Sequence, residues 1–362
     1  MKFLFIVQGE GRGHMTQALA LKNMLLKHNH TVVAALIGKS ERRIIPDFFL
    51  SQINCPVITF ESPNFVLDPK NKGLKLVKTF RINFGKSRIF IRNITKIDSH
   101  VKQFAPDVII NFYDLLGGLY SHFYKEKRAF KYVCIAHQLL MDHKDFIHPK
   151  GHLVEKVLLK INSTFTSAKA DLRLALSFTH LHDCPQKKLF VVPPLLRNEV
   201  LESDILNNNF LLAYMVNDGY GEDIIEWHKQ HPDLKVICFW DRKGMEDAYQ
   251  PHDNLIFYQL NDTRFLKMMS ECSGFVSTAG FESICEAMYF GKPVMMIPAN
   301  NHYEQLCNSI DAVRAGAGIK GDTFNMSLLV NYFPKHKSIQ PEFQRWVDGA
   351  EERFIKLLSF SN

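Results

Sequence analysis

From Thr278 to Glu286 the chain reads Thr-Ala-Gly-Phe-Glu-Ser-Ile-Cys-Glu, directly after the apolar run Gly274 to Ser277. This pattern predicts a strand that turns at Gly280 into a helix. Gly291-Lys292-Pro293 then closes the helix before a second apolar run over 294–298. A glycine at a strand-to-helix turn lets backbone N–H groups approach a diphosphate, and the helix dipole favours the anion. Glu286 follows Glu282 by one helical turn, where a carboxylate could accept hydrogen bonds from ribose hydroxyls. The competing interpretation is an ordinary strand–helix–strand unit with both glutamates in solvent.

A second glycine-rich turn lies near the start of the chain. Residues 1–8 form an apolar run, Gly9-Glu-Gly11-Arg-Gly13-His14 is the turn, and Leu19, Leu21, Met24 and Leu25 give the following segment a helical period. A dinucleotide site would ask for G-x-G-x-x-G and an acid at the tip of the second strand. Here the spacing is G-x-G-x-G, and the second strand, 31–38, carries no acid. Nicotinamide dinucleotides are disfavoured.

The elements that must hold these turns repeat. Strands are expected at 2–8, 31–37, 56–60, 107–112, 131–136, 172–177 and 189–193. After the extended segment Val192-Pro-Pro-Leu-Leu-Arg197 and a polar stretch to Asn209, they resume at 210–216, 235–240, 255–258, 275–277 and 294–297. Alternating strands and helices imply parallel sheets. A chain of 362 residues with 46% apolar content has material for two such domains. Their strand C-termini would line an interdomain cleft where doubly wound folds bind ligands. Seven scattered cysteines form no C-x-x-C pair, which suits buried thiols in a reducing compartment better than disulfides or zinc. The first residues show no signal-peptide pattern, and no apolar run is long enough to span a bilayer, so a cytoplasmic protein is expected.

Together, the two turns, the proline segment and the block Thr278–Asn308 resemble the GT-B glycosyltransferases. The similarity is greatest to family 28 enzymes, such as the peptidoglycan N-acetylglucosaminyltransferase, and to uncharacterised bacterial and archaeal relatives. Gly13-His14 matches the Gly-His that ends the family's first turn. Glu286 and Gly291 match its Glu-five-Gly spacing, and Glu304-Gln305-Leu-Cys-Asn308 its acid-or-glutamine, Gln, x, x, Asn pattern. The resemblance implies an α/β fold of two Rossmann-like, doubly wound domains facing a cleft. An acceptor domain would span 1–196 and a nucleotide-sugar domain 197–338, with a terminal helix over 339–362 crossing back to the first domain.

It also implies roles. Gly280, Ser283 and neighbouring N–H groups would hold the donor diphosphate, with Arg197 adding positive charge. Thr278 would offer a hydroxyl where plant and animal relatives place histidine. Glu286 would clamp the ribose, and Glu304 and Gln305 the sugar hydroxyls; ordinary polarity at a helix N-terminus is the alternative for that pair. His14, at a helix N-terminus that disfavours the imidazolium, would be the general base. Its alternative is a structural turn residue. Asp114 is the candidate partner carboxylate, His137 a reserve candidate against a structural role, and Gly11, Gly13 and Gly219 line the acceptor side. Asp-x-Asp is absent from the sequence, so neither metal nor cofactor is expected.

Two features bear on partners. The turn after residue 216 lacks the Gly-Gly-Ser of the peptidoglycan enzyme, which points to a different donor or acceptor. Formal net charge is +7, and basic residues from Lys70 to Lys96 alternate with large apolar ones. That pattern suits either an anionic membrane surface, with a lipid-linked or glycan acceptor, or a solvated amphipathic face. Nucleic acid is disfavoured for want of a motif. The expected activity is inverting transfer of a sugar from a nucleotide diphosphate donor, by default a UDP-sugar, to a hydroxyl. Alternatives are a nucleotide-sugar 2-epimerase of the same fold and a non-catalytic nucleotide-sugar sensor or membrane scaffold.

Overall fold

A computed structural model describes the chain except residues 41–42, 65–66, 69–72, 75–80, 82, 125, 127–128, 216–217, 243, 245 and 361–362. Sixteen strands are described: β1 (Lys2–Gln8), β2 (Thr31–Lys39), β3 (Val57–Glu61), β4 (Leu67–Asp68), β5 (Gly73–Leu74), β6 (Val108–Phe112), β7 (Lys131–Ala136), β8 (Leu172–Leu176), β9 (Leu189–Val192), β10 (Leu211–Tyr214), β11 (Val236–Trp240), β12 (Ala248–His252), β13 (Leu255–Gln259), β14 (Gly274–Ser277), β15 (Val294–Met296) and β16 (Gly318–Lys320). Seven form a sheet in the order β3-β2-β1-β6-β7-β8-β9, every neighbouring pair parallel. Phe3 to Val7 and Val108 to Phe112 are buried without alternation. Helices covering both faces of a parallel sheet leave no wet side, so unbroken apolar runs result.

The second sheet has the order β12-β13-β11-β10-β14-β15-β16, parallel except where β12 runs against β13. Its core includes Trp240 stacked on Phe257 at 4.4 Å. Gly221, at the start of the helix Gly221–Lys229, packs so closely that a Cβ there would lie 2.7 Å from the Trp240 ring. The sequence showed neither β12, β16 nor the β4–β5 hairpin. β12 is polar and contains Pro251, as befits an edge strand, and the others are only two or three residues long.

The chain folds as two compact units, one of Met1–Val66, Lys75–Arg197 and Trp346–Asn362, the other of Leu67–Leu74 and Asn198–Arg345. Within the first unit the helix Ala350–Leu358 is anchored by Arg353, which binds both oxygens of Asp183 at 2.6 and 2.5 Å, and by Glu351, 2.9 Å from Lys27. Phe354 and Leu358 are buried there, and Trp346 Nε1 donates to the Ser177 carbonyl. Within the second unit, Gln340 and Gln344 both donate to the Tyr289 carbonyl. Among the parallel strands of each sheet the order reverses once, between β1 and β6 and between β10 and β14. Ligands of doubly wound sheets bind beyond the strand C-termini at such a reversal. The two turns singled out in the sequence sit at these two places.

Candidate active site

In the first unit, Gly9 follows β1, its N–H donating to the Gly38 carbonyl at 2.7 Å. Glu10 secures the turn by accepting from the Ser40 N–H at 2.5 Å, with Arg43 3.6 Å away. The helix Arg12–Lys27 then begins at Gly11, which is exposed, extended and carries no side-chain cap. Nothing lies within 4 Å of where a Cβ at Gly11 would stand, so the surface above this helix start is open.

His14 lies in the first turn of that helix with Gly13, half-buried. Its Nδ1 is 3.3 Å from Oε1 of Gln17, and its ring stacks on Tyr113 with centroids 6.2 Å apart. An amide oxygen only accepts, so Nδ1 carries the hydrogen and Nε2 keeps its lone pair. Burial pushes the imidazole down to about 4, only partly offset by Gln17. The ring is neutral at pH 7, as a general base must be.

Asp114 is fully buried just past β6. Its N–H donates to Asn111 Oδ1 at 2.9 Å, and its Oδ1 accepts from the Gly117 N–H at 3.0 Å. Oδ2 is buried without a hydrogen bond, beside Gly38, where a Cβ would come within 2.0 Å of it. Desolvation pushes the carboxyl up to about 6, against the Ser62 hydroxyl and the N–H groups of Gly117 and Leu116. No hydrogen bond joins it to His14; the histidine's partner is Gln17. Asp114 instead braces the turn that holds Tyr113 in a left-handed conformation, φ +59°. Asn111 completes the brace by donating to the carbonyls of Asp114 and Thr166. His137, buried after β7, donates from Nδ1 to the Leu176 carbonyl at 2.8 Å and packs edge-on against Phe178. Burial pushes it down to about 4.

In the second unit, Thr278 and Ala279, both buried, follow β14, and the helix Phe281–Tyr289 begins at exposed Gly280, again with no side-chain cap. Gly280 has φ −72°, which any residue adopts; the left-handed residue is Ala279, φ +56°. A Cβ at Gly280 would meet only the Ser283 hydroxyl, at 3.7 Å, so the helix start is open above this residue. Ser283 Oγ bonds the Gly280 carbonyl at 3.3 Å. Glu282 and Glu286 are both buried, Glu286 only 2% exposed, so the solvated-face alternative fails.

The helix Tyr303–Arg314 faces this turn. Asn308, buried, donates to the Ala279 carbonyl at 3.0 Å and so holds the strained residue in place. Gln305 accepts from the Ala299 N–H at 2.8 Å, bracing the loop before the helix while its amide nitrogen remains available. His302 caps the helix by accepting from the Gln305 N–H, and burial holds it near 4 and neutral, as an acceptor must be. Glu304 stands half-buried in the first turn. Gly219 lies in the short turn Asp218–Tyr220 after β10, and Arg197 is half-buried at the end of the proline segment. The sequence pattern exposed Asn308 without its partner 29 residues earlier. It gave no sign that Gln17 and Tyr113 are the partners of His14, or that Asn111 supports the turn carrying Tyr113.

Residues 1–334 match glycosyl transferase family 1. An uncharacterised glycosyltransferase of Methanosarcina acetivorans is 25% identical over 340 residues, 88% of this chain and 83% of the relative. The UDP-N-acetylglucosamine–N-acetylmuramyl-(pentapeptide) pyrophosphoryl-undecaprenol N-acetylglucosamine transferase of Thermotoga petrophila is 21% identical over 322 residues, 85% of this chain and 83% of that one. Among solved structures, the glycotransferase of kitacinnamycin superposes with a TM-score of 0.67 at 14% identity, covering 99% of this chain and 98% of that one. The architecture is thus the GT-B one of two Rossmann-like units, and the chain belongs to glycosyl transferase family 1, a glycosyltransferase.

Proposed function

We propose that this enzyme transfers a sugar from a nucleoside diphosphate donor, by preference a UDP-sugar, to an acceptor hydroxyl with inversion at the anomeric carbon. The Thr278–Gly280 turn and Ser283 receive the diphosphate, with Arg197 adding charge. Glu286 holds the ribose, and Glu304 with the free amide of Gln305 holds the sugar. His14 Nε2 removes the acceptor proton. The acceptor oxygen bonds to the anomeric carbon as the bond to the diphosphate breaks, and the nucleoside diphosphate leaves with the electron pair. Peptide dipoles and a guanidinium stabilise that leaving group, so no metal is required. Asp114 acts as a positioning residue, through the turn that carries Tyr113 beneath the His14 ring.

The observation that carries the proposal is the matched pair of helix starts. Each lies at a sheet's reversal point and opens on an exposed glycine without a side-chain cap. One has a neutral histidine in its first turn, the other a buried glutamate on its second. Thermal shift with a panel of nucleoside diphosphates and their sugars tests the donor half. Ligand at about 100-fold its Kd should add about 2.7 kcal/mol of stability. His14→Ala tests the other half: kcat should fall by about 10²–10⁴ while the nucleotide-induced shift persists. Turnover unchanged in that variant sinks the base assignment, and release of an epimerised nucleotide sugar without acceptor would favour the epimerase.

A further inference from the structure

In the helix Leu153–Thr166 five of the seven large apolar residues face solvent, with Leu158 and Leu159 partly buried. Its buried residues are Ser163 and Thr166, both polar, while Leu153, Val154, Val157, Ile161 and Phe165 face solvent, Leu153 74% and Phe165 49% exposed. Four of these recur every fourth residue and form one stripe. The two buried polar residues have a clear use. Ser163 Oγ meets the Tyr113 hydroxyl at 2.5 Å, and the Thr166 carbonyl accepts from Asn111 at 3.0 Å, so they hold the turn beneath His14. The apolar outer face has no use within the described residues.

The surroundings extend the pattern. The helix Leu115–Tyr124 lies alongside, close enough that a Cβ on Gly118 would stand 2.1 Å from the Phe165 carbonyl oxygen, and it exposes Phe123. On its other side Tyr120 reaches Asp98 of the helix Ser87–Phe104, which exposes Ile89 and Ile91 among Arg88, Arg92 and Lys96. Between residues 143 and 170 there are five lysines and two acids. A two-fold contact with a second copy would set these lysines against one another. An anionic headgroup layer accepts both halves of the face, since lysine stems lie along apolar surface while their ammonium groups stay with the phosphates. Among the described residues no helix is long and apolar enough to cross a membrane.

We propose that the outer face of the helix Leu153–Thr166 docks this protein on an anionic lipid bilayer, lying flat at headgroup depth. This goes beyond the basic 70–96 segment, much of which lies outside the described residues. It deepens the transferase proposal by making a lipid-borne alcohol the acceptor class, and rests on that proposal in this respect only. The full chain is sedimented with vesicles of phosphatidylcholine and phosphatidylglycerol, without donor, beside vesicles of phosphatidylcholine alone. Wild type should bind the mixed vesicles preferentially and release them as salt rises. Val157→Glu with Ile161→Glu should weaken binding about tenfold or more. Val157→Ser with Ile161→Ser should weaken it less, and circular dichroism of both variants should match wild type. Lack of binding by wild type, or undiminished binding by both folded variants, overturns the proposal. So does a dimer in sedimentation velocity that these substitutions dissociate without any vesicle binding. Failure of the separate nucleotide thermal shift would count against the transferase proposal and leave the docking result standing.

Discussion

In the proposed reaction His14 is the base through its surroundings rather than through a paired carboxylate. Loss of water around the ring brings its pKa from 6.5 to about 4, and the Gln17 oxygen fixes the proton on Nδ1. A base is competent while neutral, so kcat/KM should hold as pH falls through 6.5 and decline only toward pH 4, a profile read directly in a series of buffers. Asp114 has the opposite sign: its carboxyl rises from 3.8 to about 6. An acid limb near pH 6 that vanishes in Asp114→Asn would move the essential ionisation to the aspartate and away from His14. The same pair opposes itself in stability. The neutral imidazole favours folding above pH 6.5 and loses that effect as pH falls toward 4. The buried carboxyl favours folding below pH 3.8 and loses its effect as pH rises to about 6.

The elements around the site are held together by close backbone approach. Where the helix Leu115–Tyr124 passes the end of the helix Leu153–Thr166, a Cβ at Gly118 would stand 2.1 Å from the Phe165 carbonyl oxygen and 2.4 Å from that of Thr166. Backbone cannot yield as a flexible side chain can. Gly118→Ala should therefore destabilise by about 1–3 kcal/mol, measured by urea unfolding. It should also lower kcat, because the displaced helix carries Ser163 and Thr166, which hold Tyr113 and Asn111. In the second unit the equivalent support is Asn308, which ties the helix Tyr303–Arg314 to the left-handed Ala279.

As a whole molecule, the chain returns its last segment to the unit that contains its first. Trp346 to the C-terminus belongs with the N-terminal sheet, where Phe354 and Leu358 are buried and Arg353 grips Asp183. Burying a side chain of this kind contributes about 1.5–3 kcal/mol, so ending the chain after Arg345 should cost the first unit about 3–6 kcal/mol from these two residues alone. Calorimetry should show that loss in one transition. The transition that nucleotide raises should keep its midpoint, since the second unit retains all of Asn198–Arg345.

Most strand positions and the two glycine turns were legible in the residues because both depend on local signals. A buried parallel strand needs an unbroken apolar run, and a helix that opens on a bare N-terminus needs a small residue before it. Glu286 could be marked for the same reason, since helical spacing sets the turn it occupies, whereas the Glu304-Gln305 pair was marked by its resemblance to a family pattern. Ala279 rather than Gly280 taking the left-handed conformation, Asn308 reaching back to it, and Gln17 rather than Asp114 facing His14 were hidden. Each rests on contacts or backbone angles that only the folded chain brings about. The outward apolar stripe of residues 153–165 was hidden differently: periodicity reveals that a helix has two faces, but only packing decides which one the protein leaves in water.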